Sequence, residues 1–342
     1  MERNSERADG RRPILQVTGL KHYYKGKHAV IPAVDGVDAV LYPGEIVGIV
    51  GESGCGKSTV AKSLMGLVPA RLATRVAGEA WFEGVDLFRL PRRLHRQKLG
   101  RSIAMIFQSP RAALDPVYTI GDQLCEAIQA HESLSRAEAR TRAVELLKQV
   151  QLPAPEIRLD QYPHEMSGGM LQRVMIAIAL SCRPAVLLAD EPTTALDVTI
   201  QAQILTLLKS LRDSLGLAIL LITHNIGVVA SICDRVLVMY GGVVVEEAAC
   251  RDLFASPQHP YTRGLLAAIP SISNDASELF TIPGQVPSFH YPVTRCRFAG
   301  RCACETPRCL TAEPELRPTS TGKSRCHYSL AEQRQAEVSD VG

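Results

Sequence analysis

Eight consecutive residues, Gly51-Glu52-Ser53-Gly54-Cys55-Gly56-Lys57-Ser58, limit what this chain can fold into more than any other stretch. They fit G-x-x-x-x-G-K-[ST], a loop that closes its backbone around phosphate and needs a strand before it and a helix after it. Both flanks are present. Ile46-Val47-Gly48-Ile49-Val50 is an apolar run that predicts a buried strand, and Thr59 to Leu67 predicts a helix. Glycine lets backbone N–H groups turn inward on phosphate oxygens, and the helix N-terminus adds partial positive charge. Gly51, Glu52, Ser53, Gly54, Cys55, Gly56, Lys57, Ser58 and Thr59 are therefore the candidate phosphate-binding residues. Lys57 would reach β- and γ-phosphates, and Ser58 would hold Mg²⁺. The alternative, a glycine turn that binds nothing, is disfavoured by the flanking strand and helix.

The 342 residues give room for one large or two modest domains, and 46% hydrophobic residues suit a packed core. A net charge of +3 offers no argument for nucleic acid as a partner. No apolar run approaches the ~18 residues of a membrane span. Met1 to Arg12 is polar and lacks the apolar centre of a secretory signal, so a cytoplasmic protein is expected. Five of the ten cysteines, Cys296, Cys302, Cys304, Cys309 and Cys326, crowd towards the C-terminus. Disulfides are not expected in a reducing compartment, so the crowd reads first as a metal candidate.

Periodicity orders the rest. Strands are predicted over Ile14 to Tyr24, Val30 to Leu41, Ser102 to Phe107, Val186 to Ala189 and Leu217 to Thr223. Arg235 to Tyr240 and Val243 to Glu246, joined by Gly241-Gly242, read as a hairpin. Tyr24, ahead of Tyr23, is the aromatic candidate for stacking on adenine; ordinary edge-strand aromatics are the alternative. Ser109 to Pro116 is bracketed by prolines and reads as a surface loop. Beyond it Gly121 to Ala130 looks helical, and Ser135-x-x-Glu138 is a capping box before Ala139, Ala143, Leu146 and Leu147. Ser167 is placed to cap a helix through Ala179, and Gly216 ends an apolar helix running from Ile200 to Leu215. From about Ser256 prolines multiply, and a domain boundary is expected there.

Six pieces stand in a fixed order: the loop Gly51–Ser58, Gln108, Met166-Ser167-Gly168-Gly169-Met170, Val186–Asp190 followed by Glu191, Asp197, and His224. Together they resemble the ATP-binding cassette of ABC transporters, over about residues 14–330. The resemblance implies an α/β fold over residues 12–255. This is a P-loop ABC-type nucleotide-binding domain: a RecA-like core, an antiparallel β-subdomain and a helical subdomain at about 110–180. A small Cys/Pro-rich extension over 256–330 and a loose tail over 331–342 complete it. ATP and Mg²⁺ are the implied ligands.

The chemistry agrees with each assignment. Asp190, at the end of an apolar strand, can hold Mg²⁺ with Ser58, and Gln108 can sense that metal and the attacking water. Glu191 is the natural general base, and His224 can hydrogen-bond the γ-phosphate. Ser167, Gly168 and Gly169 make a second bare helix N-terminus, which would serve the γ-phosphate of a facing subunit; Asp197 is the D-loop aspartate. The chain departs from the family pattern at Met166 (usually Leu), Met170 (usually Gln) and Asn225 (often Asp).

Gln258-His259-Pro260-Tyr261-Thr262, Leu265-Leu266, Gln172-Arg173-Val174-Met175 and Glu191-Pro192-Thr193-Thr194-Ala195-Leu196-Asp197 resemble ATPase subunits of the oligopeptide, dipeptide and nickel importers. That resemblance implies ATP-powered uptake of di- and oligopeptides, from a peripheral position on the cytoplasmic face of the inner membrane. Its implied partners are a second ATPase subunit (a paralogue or an identical copy), two transmembrane permeases and an extracytoplasmic substrate-binding protein, with no nucleic acid. Ser109 to Pro116 and the helices after it would receive a permease. Nickel or another small solute is the alternative cargo. A soluble ABC ATPase is disfavoured by the single cassette and the lack of a long heptad run. Cys296, Cys302, Cys309 and Cys326 form C-x5-C-x6-C-x16-C, which resembles the cysteine pattern of the same extension. A 4Fe–4S cluster is the expected occupant, Zn²⁺ the alternative, and plain thiols the reading without metal. Cys304 is left over, His327 is a reserve ligand, and Arg295, Arg297, Arg301, Arg308 and Arg325 would offset thiolate charge.

Overall fold

The computed structural model describes residues 10–27, 29–68, 72–194, 196–269, 281–330 and 332. Ala195 of the turn before Asp197, Pro270, and the expected tail apart from residue 332 lie outside them.

In chain order, β1 (Leu15–Lys25) and β2 (Val30–Leu41) precede the fully buried β3 (Ile46–Val50). Helix α1 spans Lys57–Leu64. It starts two residues before Thr59 because Gly56, at φ +101°, turns the chain straight into it. β4 (Ala73–Phe82), β5 (Val85–Asp86) and α2 (Arg92–Lys98) follow, all three beyond what the sequence pattern disclosed. β4 is hard to read because Gly78 interrupts it, and that glycine is needed: a Cβ there would stand 2.6 Å from the Gly19 carbonyl oxygen.

After β6 (Ile103–Ile106), the proline-bracketed segment is not only loop, since Pro110 opens the short α3 (Pro110–Ala113). Next come α4 (Ile120–Gln129), capped by Thr119, and α5 (Arg136–Gln149) with the Ser135/Glu138 capping box formed. α6 (Pro155–Arg158), α7 (Gly168–Leu180), β7 (Val186–Asp190), α8 (Val198–Leu215) and β8 (Ala218–Thr223) complete the middle of the chain. The remainder holds α9 (Ile226–Ile232), the hairpin β9 (Arg235–Tyr240) and β10 (Val243–Ala249), α10 (Cys250–Ala255) and α11 (Pro260–Ala267). It ends with α12 (Pro307–Thr311), β11 (Arg317–Pro318) and β12 (Gly322–Ser324).

Two compact units result. The first takes Leu41–Ile46 and Trp81–Ile222. Its β6, β7 and β8 run parallel, with Ile106 opposite Ala189 and Asp190 opposite Ile222. Their uninterrupted apolar sequences are those of strands buried on both faces. The second takes Gln16–Val40, Val47–Ala80 and the chain from Thr223 onwards. Here β3 lies parallel to β9, and β10 and β12 add antiparallel, Glu246 facing Ser324. The extension therefore contributes strand as well as loop. No described helix is long and apolar enough to cross a membrane.

Candidate functional site

The second unit carries the glycine loop. A Cβ on Gly51 would stand 2.1 Å from the Met239 carbonyl oxygen, and one on Gly56 2.0 Å from that of Ala33, so neither position accepts a side chain. Lys57, 4% exposed, donates from Nζ to the carbonyl oxygens of Gly51 (2.7 Å) and Glu52 (2.9 Å). Its ammonium is thereby anchored across the start of the loop. Burial pushes the Cys55 thiol up in pKa against the opposing Lys57 charge, so it stays neutral. Tyr23 is taken up by the core and donates to Asp35 Oδ1 at 2.5 Å. Tyr24 is half-buried with its hydroxyl 3.4 Å from Thr59 Oγ1. His224 is exposed just past β8. The neighbouring Asn225 caps α9, its Oδ1 accepting from Gly227 N at 2.9 Å, a role an aspartate would fill equally.

The first unit gathers the carboxylates. Asp190 closes β7 at 2% exposure. Glu191 follows at φ +48°, a left-handed conformation costly for a residue with a Cβ. Its N–H donates to Ile222 O at 2.8 Å. Its Oε2 accepts from Gln108 Nε2 at 2.8 Å and from Thr194 Oγ1 at 2.9 Å. Gln108 and Glu191 meet because each lies two residues past paired positions, Ile106 and Ala189, on adjacent parallel strands. Thr194 entered the sequence reading only as part of the stretch from Glu191 to Asp197, with no role of its own.

Ser167 caps α7 (Met170 N to Oγ, 3.4 Å), and Asp197 caps α8 (Ile200 N to Oδ1, 2.9 Å). The two helix starts touch: a Cβ on Gly169 would stand 2.7 Å from Ile200 Cγ2. Met166 is buried, so the exchange of Leu for Met falls at a core position where volume matters more than shape.

The Gln258–Thr262 segment has a clear structural task. The buried Glu246 accepts from Gln258 N at 2.7 Å and His259 N at 2.8 Å. His259 Nδ1 in turn caps α11, accepting from Tyr261 N at 3.1 Å. The Tyr261 hydroxyl accepts from Glu52 N of the glycine loop at 2.9 Å.

None of the ten cysteines forms a disulfide. The expected metal centre is not preformed: among the described residues no three His, Cys, Asp or Glu side chains are gathered closely enough to hold an ion. Cys296, Cys302, Cys309 and Cys326 do share one neighbourhood. Cys296 N donates to Cys309 O at 2.9 Å. Burial raises the Cys296 thiol to about 11, and Cys309 and Cys326 add to the shift. Cys302 is raised likewise by burial, with Cys304, Cys296 and Cys326 adding. The arginines expected to offset thiolate charge are largely engaged elsewhere, because carboxylates and carbonyls lie nearer. Arg297 pairs with Asp35 (2.6 Å) and Glu313 (2.7 Å), Arg301 with Glu52 (3.0 Å), and Arg325 donates to Val244 O (2.9 Å). Arg263 does reach a thiol, with Nη2 3.3 Å from Cys304 Sγ.

Comparison with known proteins bears on both parts of the chain. The profile described as ABC transporter matches residues 34–194, and that of the oligopeptide/dipeptide transporter C-terminal region matches residues 245–309. A probable peptide ABC transporter ATP-binding protein of Sinorhizobium fredii is 50% identical over 90% of this chain and 92% of its own length. The oligopeptide transport ATP-binding protein AppD of Bacillus subtilis is 48% identical over 95% and 99%. The dipeptide transport ATP-binding protein DppD of Escherichia coli is 45% identical over 93% and 97%. Among solved structures, a dimeric ATP-binding cassette in a post-hydrolysis state with ADP and Pi superposes with a TM-score of 0.62 at 30% identity. It covers 69% of this chain and 99% of that one.

Proposed function

The chain belongs to the ABC transporter family, and we propose that it is the ATP-hydrolysing subunit of a peptide importer, peripheral on the cytoplasmic face of the inner membrane. The observation that carries this reading is double. The cassette profile is followed by the peptide-transporter C-terminal profile, and relatives named for peptide transport align over nine-tenths of the chain.

In this reading Gly51–Thr59 holds the ATP phosphates, Lys57 neutralises the β- and γ-phosphates, and Tyr24 stacks on adenine. Ser58 and Asp190 would hold Mg²⁺, which when bound would offset the charge of the transferred phosphoryl group. Glu191 takes the proton of the attacking water. Two donors on its Oε2 support this role, because they fix the direction of the carboxylate. Gln108 bonds Glu191 through its amide nitrogen, so its amide oxygen is the atom that would contact the metal. His224 contacts the γ-phosphate. Ser167, Gly168 and Gly169 serve the ATP of a second ATPase subunit, with Asp197 beside that interface. Two permeases and an extracytoplasmic binding protein complete the transporter.

We propose further that Cys296, Cys302, Cys309 and Cys326 hold one structural metal centre, 4Fe–4S ahead of Zn²⁺. Their shared neighbourhood and four-sulfur donor set support it. The absence of a preformed group means the ion would have to draw the thiols together. Iron and zinc analysis of anaerobically purified protein tests this, and protein with neither metal yet an intact extension refutes it.

The function itself is tested in proteoliposomes holding the chain, its permeases and its binding protein. Di- and tripeptides should stimulate ATP hydrolysis and enter the vesicles. Stimulation by Ni²⁺ alone would move the cargo to the alternative, and none by either would overturn the importer reading.

A further inference from the structure

Glu52 is a poor choice of residue for a loop that receives a triphosphate, since its carboxylate repels the ligand. The fold deals with that charge from the C-terminal extension. Arg301 Nη1 donates to both Glu52 oxygens, at 3.0 and 3.2 Å. Its side chain is 7% exposed and that of Glu52 28%, so the pair is only partly screened by water. Arg301 is itself fixed. Nε donates to Pro283 O at 2.8 Å and Nη2 to Gly284 O at 3.2 Å. Nη1 also reaches Tyr240 OH at 3.2 Å, and the guanidinium lies 5.7 Å from the centre of that ring.

A second contact acts on the loop backbone. The Gly51–Glu52 peptide is one rigid plane. Its C=O accepts Lys57 Nζ at 2.7 Å, and its N–H donates to the Tyr261 hydroxyl at 2.9 Å. Tyr261 is fully buried, edge-on to Phe298 of the extension and tilted against Tyr240. A single plane thus lies between the phosphate-binding lysine and the extension.

We propose that the C-terminal extension positions the phosphate loop: Tyr261 orients the Gly51–Glu52 peptide that anchors Lys57, and Arg301 neutralises and draws aside the Glu52 carboxylate, so that both are positioning residues for MgATP. The proposal rests on the reading of Gly51–Ser58 as the ATP site.

The test is equilibrium MgATP binding by the full-length protein, with thermal midpoints recorded for every variant. Arg301→Gln leaves Glu52 charged and unpaired and should weaken binding about tenfold. Glu52→Gln added to it removes the repelling charge and should restore most of that loss. Tyr261→Phe deletes one hydroxyl at constant shape and should weaken binding several-fold. A purely structural arginine would not be rescued by Glu52→Gln, so failure of rescue overturns the Arg301 role. Affinities within twofold of the parent in Tyr261→Phe and Arg301→Gln, with binding abolished in Lys57→Ala, overturn the proposal and leave the loop reading standing. Unchanged binding in Lys57→Ala would remove both.

Discussion

Glu191 combines a left-handed backbone with two donors on one carboxylate oxygen. A strained residue persists only where its surroundings hold it, and here Ile222 O, Gln108 and Thr194 do so. Glu191→Gln keeps the shape and removes the base. ATP binding should survive, and ATP turnover in the assembled transporter should fall ~10²–10⁴-fold. Near-normal phosphate release in that variant would exclude Glu191 as the base. Its place just past β7 was legible in the sequence because an apolar run closes on two adjacent carboxylates in a chain that also carries a phosphate loop. Thr194 was not, since a hydroxyl in a turn has many uses and only the fold selects one. The opposite holds for the arginines near the cysteines. Sequence proximity suggested thiolate partners, but Arg297 and Arg301 are drawn to Asp35 and Glu52, more than two hundred residues away in the chain.

At the scale of elements, caps were readable and edge strands were not. Ser135 and Ser167 each start the helix their side chains predict, because a cap is a local bargain between one side chain and one turn. β11 and β12, two and three residues long, are too short to show a period, and only the pairing of β12 with β10 and of β11 with β12 defines them. α11 carries a pH signature of its own. Burial, with the charges of Arg263 and Arg325 adding, pushes His259 from 6.5 down to about 3. The imidazole caps the helix in its neutral form, accepting from Tyr261 N. Above pH 6.5 folded and unfolded chains are both neutral here, and the stabilisation is complete. Below it the unfolded chain takes a proton that the fold refuses, so stability falls progressively towards pH 3. At pH 5.5 the loss should be on the order of 1 kcal/mol. His259→Asn keeps an N-cap acceptor and does not titrate. The thermal midpoint of the parent should therefore drop more between pH 7.5 and 5.5 than that of the variant. Parallel declines would show that His259 is not the group responsible.

For the whole molecule, an ATPase subunit of a transporter needs a surface through which it acts on its membrane partners. The loop before α4 offers a prepared surface. Gln123 Nε2 donates to Asp115 O and Tyr118 O, both at 3.0 Å, and Gln123 Oε1 accepts from Asp115 N at 2.9 Å. Asp115 Oδ1 also accepts from Val117 N at 3.1 Å. These bonds hold the loop in one shape while Val117 and Tyr118 stand 70% and 55% exposed. Apolar side chains presented outward on a stiff loop, close in sequence to Gln108, suit the docking of a permease segment whose position could be felt at Glu191. Val117→Glu should be tolerated by the fold, since the side chain is mostly in water. ATPase activity of the isolated protein should remain. Stimulation by permease and peptide-loaded binding protein should fall by at least ~10-fold, as expected for an interface anchor. Cysteines placed at Arg111 should crosslink to a permease in the assembled transporter. Full stimulation in Val117→Glu, with crosslinks confined to the C-terminal extension, would move the coupling surface there.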